Sequence, residues 1–193
     1  MPARIVLVRH GPSAHTFSGT AIDRVGVERW REAYDAAGID PRALPPAALA
    51  GMAARCTCVL ASDLPRAVTS AERLDPDRAI QTTALLRETR LPIPLWPTRL
   101  PLAAWELLIH LSWVYRIARG RHPEALEKER AVAAARWLDS LATADTSALV
   151  VTHGVFRRLL AQQLRDLGWR GAERHGGYAH WSAWAFVAPA ERG

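Results

Sequence analysis

Arg4-Ile5-Val6-Leu7-Val8-Arg9-His10-Gly11 is the stretch from which the rest of the chain is read. Its four central residues are apolar without alternation, and three are β-branched. That pattern predicts a short strand buried on both faces, as in a parallel sheet covered by helices. The same signature returns at Thr57 to Ala61 and at Ala148 to Thr152, with a third strand expected over Ile80 to Leu86 and an alternating last one over Trp181 to Val187. Helical spacing fills the intervals: Gly26 to Ala37, Pro45 to Ala54, and a helix to Leu74 that Ser62 or Asp63 can cap. Further helices are expected over Trp105 to Arg119, from Pro123 through Leu141, and from Phe156 to a stop at Gly168. Strands separated by helices predict an α/β fold: one domain over residues 1–193, with a largely parallel sheet flanked by helices on both faces.

Hydrophobic residues make up 49% and charged residues 23%, the balance of a globular chain. The formal net charge is +6, and Lys128 is the only lysine. Arginine offers a planar fork of donors that matches phosphate and carboxylate, so the composition suits anionic small molecules. The basic residues are spread along the chain, which argues against a nucleic-acid-binding tail. Cys56 and Cys58 cannot close a zinc site by themselves, and two small residues of a half-buried strand explain them. Leu100 to Ala118 is apolar but interrupted by Glu106, His110, Ser112 and Arg116, so no membrane span is expected. Met1 to Val8 lacks a secretory pattern, which makes cytoplasmic residence the default expectation. Oligomeric state is not legible in the sequence; Trp169, Trp181 and Trp184 are expected to pack inside.

Open α/β sheets bind ligands beyond the carboxyl ends of their strands. Three such ends carry reactive side chains: Arg9-His10-Gly11, Ser62-Asp63-Leu64-Pro65-Arg66 and Thr152-His153-Gly154. A glycine after each histidine lets backbone N–H groups approach an anion, and a following helix adds its positive end. Arg66, in the first turn of a helix, opposes the helix dipole, and a residue that breaks a local rule is a site candidate.

Four segments together resemble the histidine phosphatase superfamily, in its phosphoglycerate-mutase-like branch. They are Leu7 to Gly11, Ser62 to Ala71, Leu86-Arg87-Glu88 and Val151 to Gly154, in the family's order and spacing. The resemblance implies that His10 is the nucleophile and becomes phosphorylated, while Arg9, Arg66 and His153 hold the phosphoryl group. Glu88 would protonate the leaving oxygen and then deprotonate the attacking water. Backbone N–H groups of Gly11 and Gly154 and the hydroxyls of Ser13 and Ser62 would add phosphate contacts, with Ser13 alternatively serving a turn after Pro12. Neither metal nor cofactor is implied. The Gly-x-Trp-Glu-Gly-like stretch that follows the acid in many relatives is absent here, where Thr89-Arg90-Leu91-Pro92 stands instead, so Glu106 remains an alternative acid.

Residues 91–122 fall where relatives carry the segment covering the active site, and they contain Trp96, Trp105, Trp113 and Tyr115. The expectation is an apolar helical lid, with His110 sharing a helix face with Glu106 and with His122 and Glu124 at the mouth. A mutase needs several extra cations to hold phosphoglycerate in two orientations. An aliphatic and aromatic lid instead favours hydrolysis of a small-molecule phosphomonoester with a partly apolar or aromatic leaving group. The rivals are a cofactor-dependent phosphoglycerate-type mutase and a catalytically weak phospho-ligand binding or scaffold protein.

Overall fold

The computed structural model describes residues 3–119, 125–142 and 146–189. Six strands form one sheet: β1 (Arg4–Arg9), β2 (Cys58–Ser62), β3 (Ile80–Thr83), β4 (Ser147–Thr152), β5 (Arg170–His175) and β6 (Ala183–Val187). Their order is β3-β2-β4-β1-β6-β5. The first four strands are mutually parallel, while β6 runs antiparallel to β1 and β5 antiparallel to β6. The helices are α1 (Arg24–Ala36), α2 (Ala47–Ala53), α3 (Pro65–Leu74), α4 (Leu102–Ala118), α5 (Ala125–Leu141) and α6 (Gly154–Asp166).

The unbroken apolar runs are the central strands, as their sequence demands. Ile5 and Leu7 point to one face, where Leu138, Phe156, Leu160 and Leu164 of α5 and α6 cover them. Val6 and Val8 point to the other, under Leu49, Met52, Ala67 and Ala71 of α2 and α3. Burial on both faces is the reason alternation is missing from these strands. A third cluster, Val27, Leu91, Trp105 and Ile109, joins α1 to α4. The indole of Trp105 donates to the Ile22 carbonyl at 2.8 Å, and Ile22 pairs in turn with Leu100.

Three local expectations differ from the structure. The third strand ends at Thr83, and Ala84–Leu86 turns as a short 3-10 helix. Neither Ser62 nor Asp63 caps α3: its first helical residue is Pro65, preceded by Leu64, and no side chain closes its N-terminus. Ser62 instead accepts the Leu64 N–H at 3.3 Å, and Asp63 grips Arg87 through two bonds of 2.6 and 2.7 Å. Trp181 belongs to a turn with φ 60° rather than to the last strand, which begins at Ala183. The sequence reading also lacks β5, an exposed edge strand of charged residues. The expected helix start at Pro123, together with His122 and Glu124, lies outside the described residues. Trp169, Trp181 and Trp184 are buried, and among the described residues no helix is long and apolar enough to cross a membrane.

Candidate active site

Strand register brings the two His-Gly pairs together. Arg9 pairs with Thr152 at the ends of β1 and β4, so the next residues, His10 and His153, stand side by side. The His10 N–H bonds the Thr152 carbonyl at 3.0 Å, and the two imidazole centroids are 5.0 Å apart. His10 is 2% exposed and His153 fully buried. Nδ1 of His10 lies 2.7 Å from the Gly11 carbonyl oxygen. A carbonyl only accepts, so Nδ1 carries the proton and the lone pair is left on Nε2. Burial, then the positive charge of Arg66, holds the His10 imidazole well below its ordinary pKa. Burial lowers His153 likewise, with His10 and Arg66 adding to it.

Two arginines flank the pair. Arg9 anchors one Nη to the Tyr178 carbonyl at 2.7 Å. Arg66 is buried at the start of α3, against the dipole, but α1 compensates it: Nη1 reaches Asp35 at 3.0 Å and the Tyr34 carbonyl at 3.1 Å, and the guanidinium lies 4.6 Å over the Tyr34 ring. The Nε atoms of both arginines and both ring nitrogens of His153 are buried without a hydrogen-bond partner. Buried polar nitrogens are ordinarily satisfied, so a cluster of open ones beside one imidazole, three of them N–H donors, describes a place for an anion.

Glu88 follows the 3-10 turn and reaches α6. Its carboxylate accepts the N–H groups of Phe156 at 2.9 Å and Val155 at 3.3 Å, closing a helix start that His153 leaves uncapped. Arg130 of α5 steadies the same turn by donating to the carbonyls of Leu85 and Arg87 at 2.8 and 2.7 Å. Arg9, His10, Arg66, Glu88 and Glu106 all border one cavity of about 650 Å³, a size usual for small-molecule sites. Glu106 is exposed, and His110 bonds its backbone carbonyl at 2.7 Å rather than its carboxylate.

Of the expected backbone and hydroxyl contacts, the Gly11 N–H, Ser13 and Ser62 have partners within the protein. The Gly11 N–H donates to Ser70 Oγ at 2.9 Å; a Cβ at Gly11 would stand 2.4 Å from Trp181 Cζ2, so this glycine makes room for an indole. Ser13 Oγ accepts the His15 N–H at 3.1 Å and donates to the Gly38 carbonyl at 3.4 Å, the turn-holding alternative. Ser62 serves the loop before α3, as described above. Gly154 faces Arg9: a Cβ there would sit 3.3 Å from its Nε and 3.4 Å from its Cζ. The Trp-rich segment does not supply the aromatic wall of the cavity. Trp105 is core and Trp96 faces out, while the wall is Trp30 of α1, stacked on Tyr34 with centroids 5.0 Å apart. Tyr34, Asp35 and Arg130 carried no motif in sequence. Neither did His180, whose ring lies 5.3 Å from that of His10.

No curated protein matches the chain by sequence. Solved structures do match by shape. A mycobacterial hydrolase aligns with a TM-score of 0.55 at 16% identity, over 96% of this chain and 97% of its own. A phosphoserine phosphatase from Entamoeba histolytica, in complex with 3-phosphoglyceric acid, gives 0.53 at 13% identity over 97% and 98%. A mycobacterial glucosyl-3-phosphoglycerate phosphatase gives 0.52 at 18% identity over 86% and 81%. At such identities these likenesses speak for the fold alone. The family profile goes further, because it matches residues 5–186 and so takes in His10, Arg66, Glu88 and His153: the chain belongs to the histidine phosphatase superfamily, branch 1.

Proposed function

We propose that this protein is a metal-independent phosphatase that hydrolyses a small phosphomonoester through a phosphohistidine on His10. The observation that carries the reading is the set of buried nitrogens without partners around that imidazole, Arg9 Nε, Arg66 Nε and the ring of His153, whose neutral form gives one donor. In the first step the Nε2 lone pair of His10 attacks phosphorus, and the bond to the leaving oxygen breaks. Glu88 gives that oxygen a proton. In the second step Glu88 takes a proton from water, the resulting hydroxide oxygen bonds phosphorus, and the N–P bond breaks to release inorganic phosphate and neutral His10. The positive charge that offsets the equatorial oxygens comes from Arg9 and Arg66, with His153 adding a donor. Burial keeps His10 unprotonated and therefore nucleophilic near neutrality.

The leaving group is read from the outer cavity. Val27, Trp30, Leu91, Leu102 and Ile109 make an apolar side, which supports an aliphatic or aromatic alcohol as product. Arg31, Arg87 and Arg90 border the same cavity, and these extra cations are the observation that favours the mutase as a second reading. The two are separated by product: inorganic phosphate from the phosphatase, an isomer and bisphosphate dependence from the mutase.

Phosphate release from p-nitrophenyl phosphate in EDTA tests the proposal. Activity in the parent that disappears in His10→Ala and falls at least tenfold in Glu88→Ala is expected. Full activity in His10→Ala would overturn it, as would a parent that is silent until metal is added.

A further inference from the structure

We propose that His180 is a further ligand of the transferring phosphoryl group, donating its Nε2 N–H to a non-bridging oxygen beside His10. The proposal rests on the phosphatase reading above and adds to it a residue outside its four motif segments.

Three observations meet at this side chain. Its ring is 5.3 Å from that of His10, against 5.0 Å for His153, so both imidazoles flank the nucleophile at similar range. Its Nε2 is buried without a hydrogen-bond partner, as are the open atoms of His153, Arg9 and Arg66. Burial, then Arg9, lowers its pKa to about 4, so at neutral pH it is an uncharged imidazole with one N–H to give. An apolar side chain would serve packing there without leaving a buried nitrogen unmet.

The loop that carries it is held from several sides. Gly176 and Gly177 turn through positive φ, 67° and 56°. Trp181 stands at φ 60°, a left-handed conformation that costs a non-glycine residue about 1–2 kcal/mol, and its N–H bonds the Arg9 carbonyl at 3.1 Å. Buried Arg157 of α6 donates to the Ser182 carbonyl at 2.6 Å and to Ser182 Oγ at 2.9 Å. Its guanidinium lies 4.0 Å over Trp184, whose indole N–H reaches the Gly177 carbonyl at 3.0 Å. Strain and a buried cation spent on one loop are in keeping with a site element. The loop also supplies the Tyr178 carbonyl that fixes Arg9.

Two substitutions separate donation from packing. His180→Phe keeps a ring and removes the donor; His180→Gln keeps an N–H and removes the ring. Vanadate affinity and p-nitrophenyl phosphate turnover are measured for both, with thermal melts and a His10→Ala control. Loss of one donor to a charged group predicts that His180→Phe weakens vanadate binding and lowers kcat by about 10- to 100-fold. His180→Gln should recover at least part of both losses, with vanadate binding and kcat changing together. Parent-like behaviour of His180→Phe would overturn the proposal. So would equal losses in both variants, which would mean that the ring only packs. A parent that neither binds vanadate nor turns over, or a His10→Ala protein that stays active, would remove the phosphatase reading itself and this proposal with it.

Discussion

Replacing Gly11 by alanine separates two accounts of why a glycine follows His10. In one, the missing side chain lets the backbone approach an anion. In the other, it leaves room for Trp181. The Gly11 N–H is already bonded to Ser70 Oγ, and a Cβ would lie 2.4 and 2.6 Å from Trp181 Cζ2 and Cε2, where carbon atoms normally keep about 3.5–4.0 Å. The indole is buried within the α2–α3 side of the core and cannot swing into solvent. Overpacking of this kind costs about 1–3 kcal/mol. The φ of Gly11 is not left-handed, so the substitution also removes unfolded-chain entropy, a gain of about 0.4–1 kcal/mol. The balance is a loss of about 1–2 kcal/mol, or a Tm lower by about 2–8 °C in a chain of this size.

Urea unfolding followed by far-ultraviolet circular dichroism measures this in a four-protein cycle: parent, Gly11→Ala, Trp181→Ala and the double variant. Trp181→Ala alone should cost about 3–5 kcal/mol. With the indole gone, Gly11→Ala should become neutral or slightly stabilising, a coupling of about 1–2 kcal/mol. A single Gly11→Ala variant within 0.5 kcal/mol of the parent would refute the steric account. So would a loss that persists undiminished without Trp181.

Other predictions rest on the groups around His10. The folded pKa values of His10 and His153 are lowered, so below their unfolded value of about 6.5 the unfolded chain binds protons that the native one refuses. Stability should therefore be full above that pH and fall as pH drops, by up to about 1.4 kcal/mol per pH unit for each imidazole. His153→Asn, compared with the parent in urea titrations at pH 7, 6 and 5, should flatten the slope; an unchanged slope counts against the reading. Glu88→Gln preserves an oxygen for the α6 N–H groups and removes the proton donor. Its kcat should fall about 10²–10⁴-fold on an alkyl phosphate and by at least about tenfold on p-nitrophenyl phosphate, whose leaving group needs no proton but whose phosphohistidine still needs the Glu88 base. Glu106→Gln should stay within about twofold on both, and the reverse ranking would make Glu106 the acid. Arg157→Met keeps a stem over Trp184 but removes the guanidinium bonds to the Ser182 carbonyl and hydroxyl, so urea unfolding should show a loss of about 1–3 kcal/mol. Arg9, which the same loop fixes through Tyr178, should then bind vanadate less well.

The fold was legible where burial on both faces had erased alternation. Ile5-Val6-Leu7-Val8 and Ala148-Leu149-Val150-Val151 have few other uses in a globular chain, and they are β1 and β4. Arg170-Gly171-Ala172-Glu173-Arg174-His175 is illegible for the opposite reason. An exposed edge strand with a bulge between Gly171 and Glu173 has neither period nor apolar content. The limits of α3 were misread because Ser62 and Asp63 are good caps in isolation, yet Arg87 competes for Asp63 from a distant turn. In the site, His10, Arg9, His153 and Arg66 could be found because strand ends concentrate them. His180 could not, since its place is set by an antiparallel return and by a buried arginine whose partners are two backbone carbonyls and a hydroxyl. The tryptophans of residues 91–119 suggested an aromatic lid, but composition says nothing of direction: Trp105 turns inward to the Ile22 carbonyl, and the stacking surface came from α1.

The preference for arginine over lysine at this site has a geometric reason. A guanidinium has two edges, so one can be tied down while the other stays open. Arg9 is tied by an Nη to Tyr178, and Arg66 by an Nη to Asp35 and Tyr34, with Nε open in both. The positive charge is thereby fixed before an anion arrives, and little reorganisation is left for the moment of reaction. A lysine ammonium has no second edge: anchored it would be turned away, and free it would have to be ordered by the substrate. The anchors come from α1 and from the loop after β5, elements far apart in sequence. They converge because β1 lies inside the sheet with β4 on one side and β6 on the other. With His10 at the end of an inner strand, His153 after β4 and His180 before β6 both stand beside its imidazole.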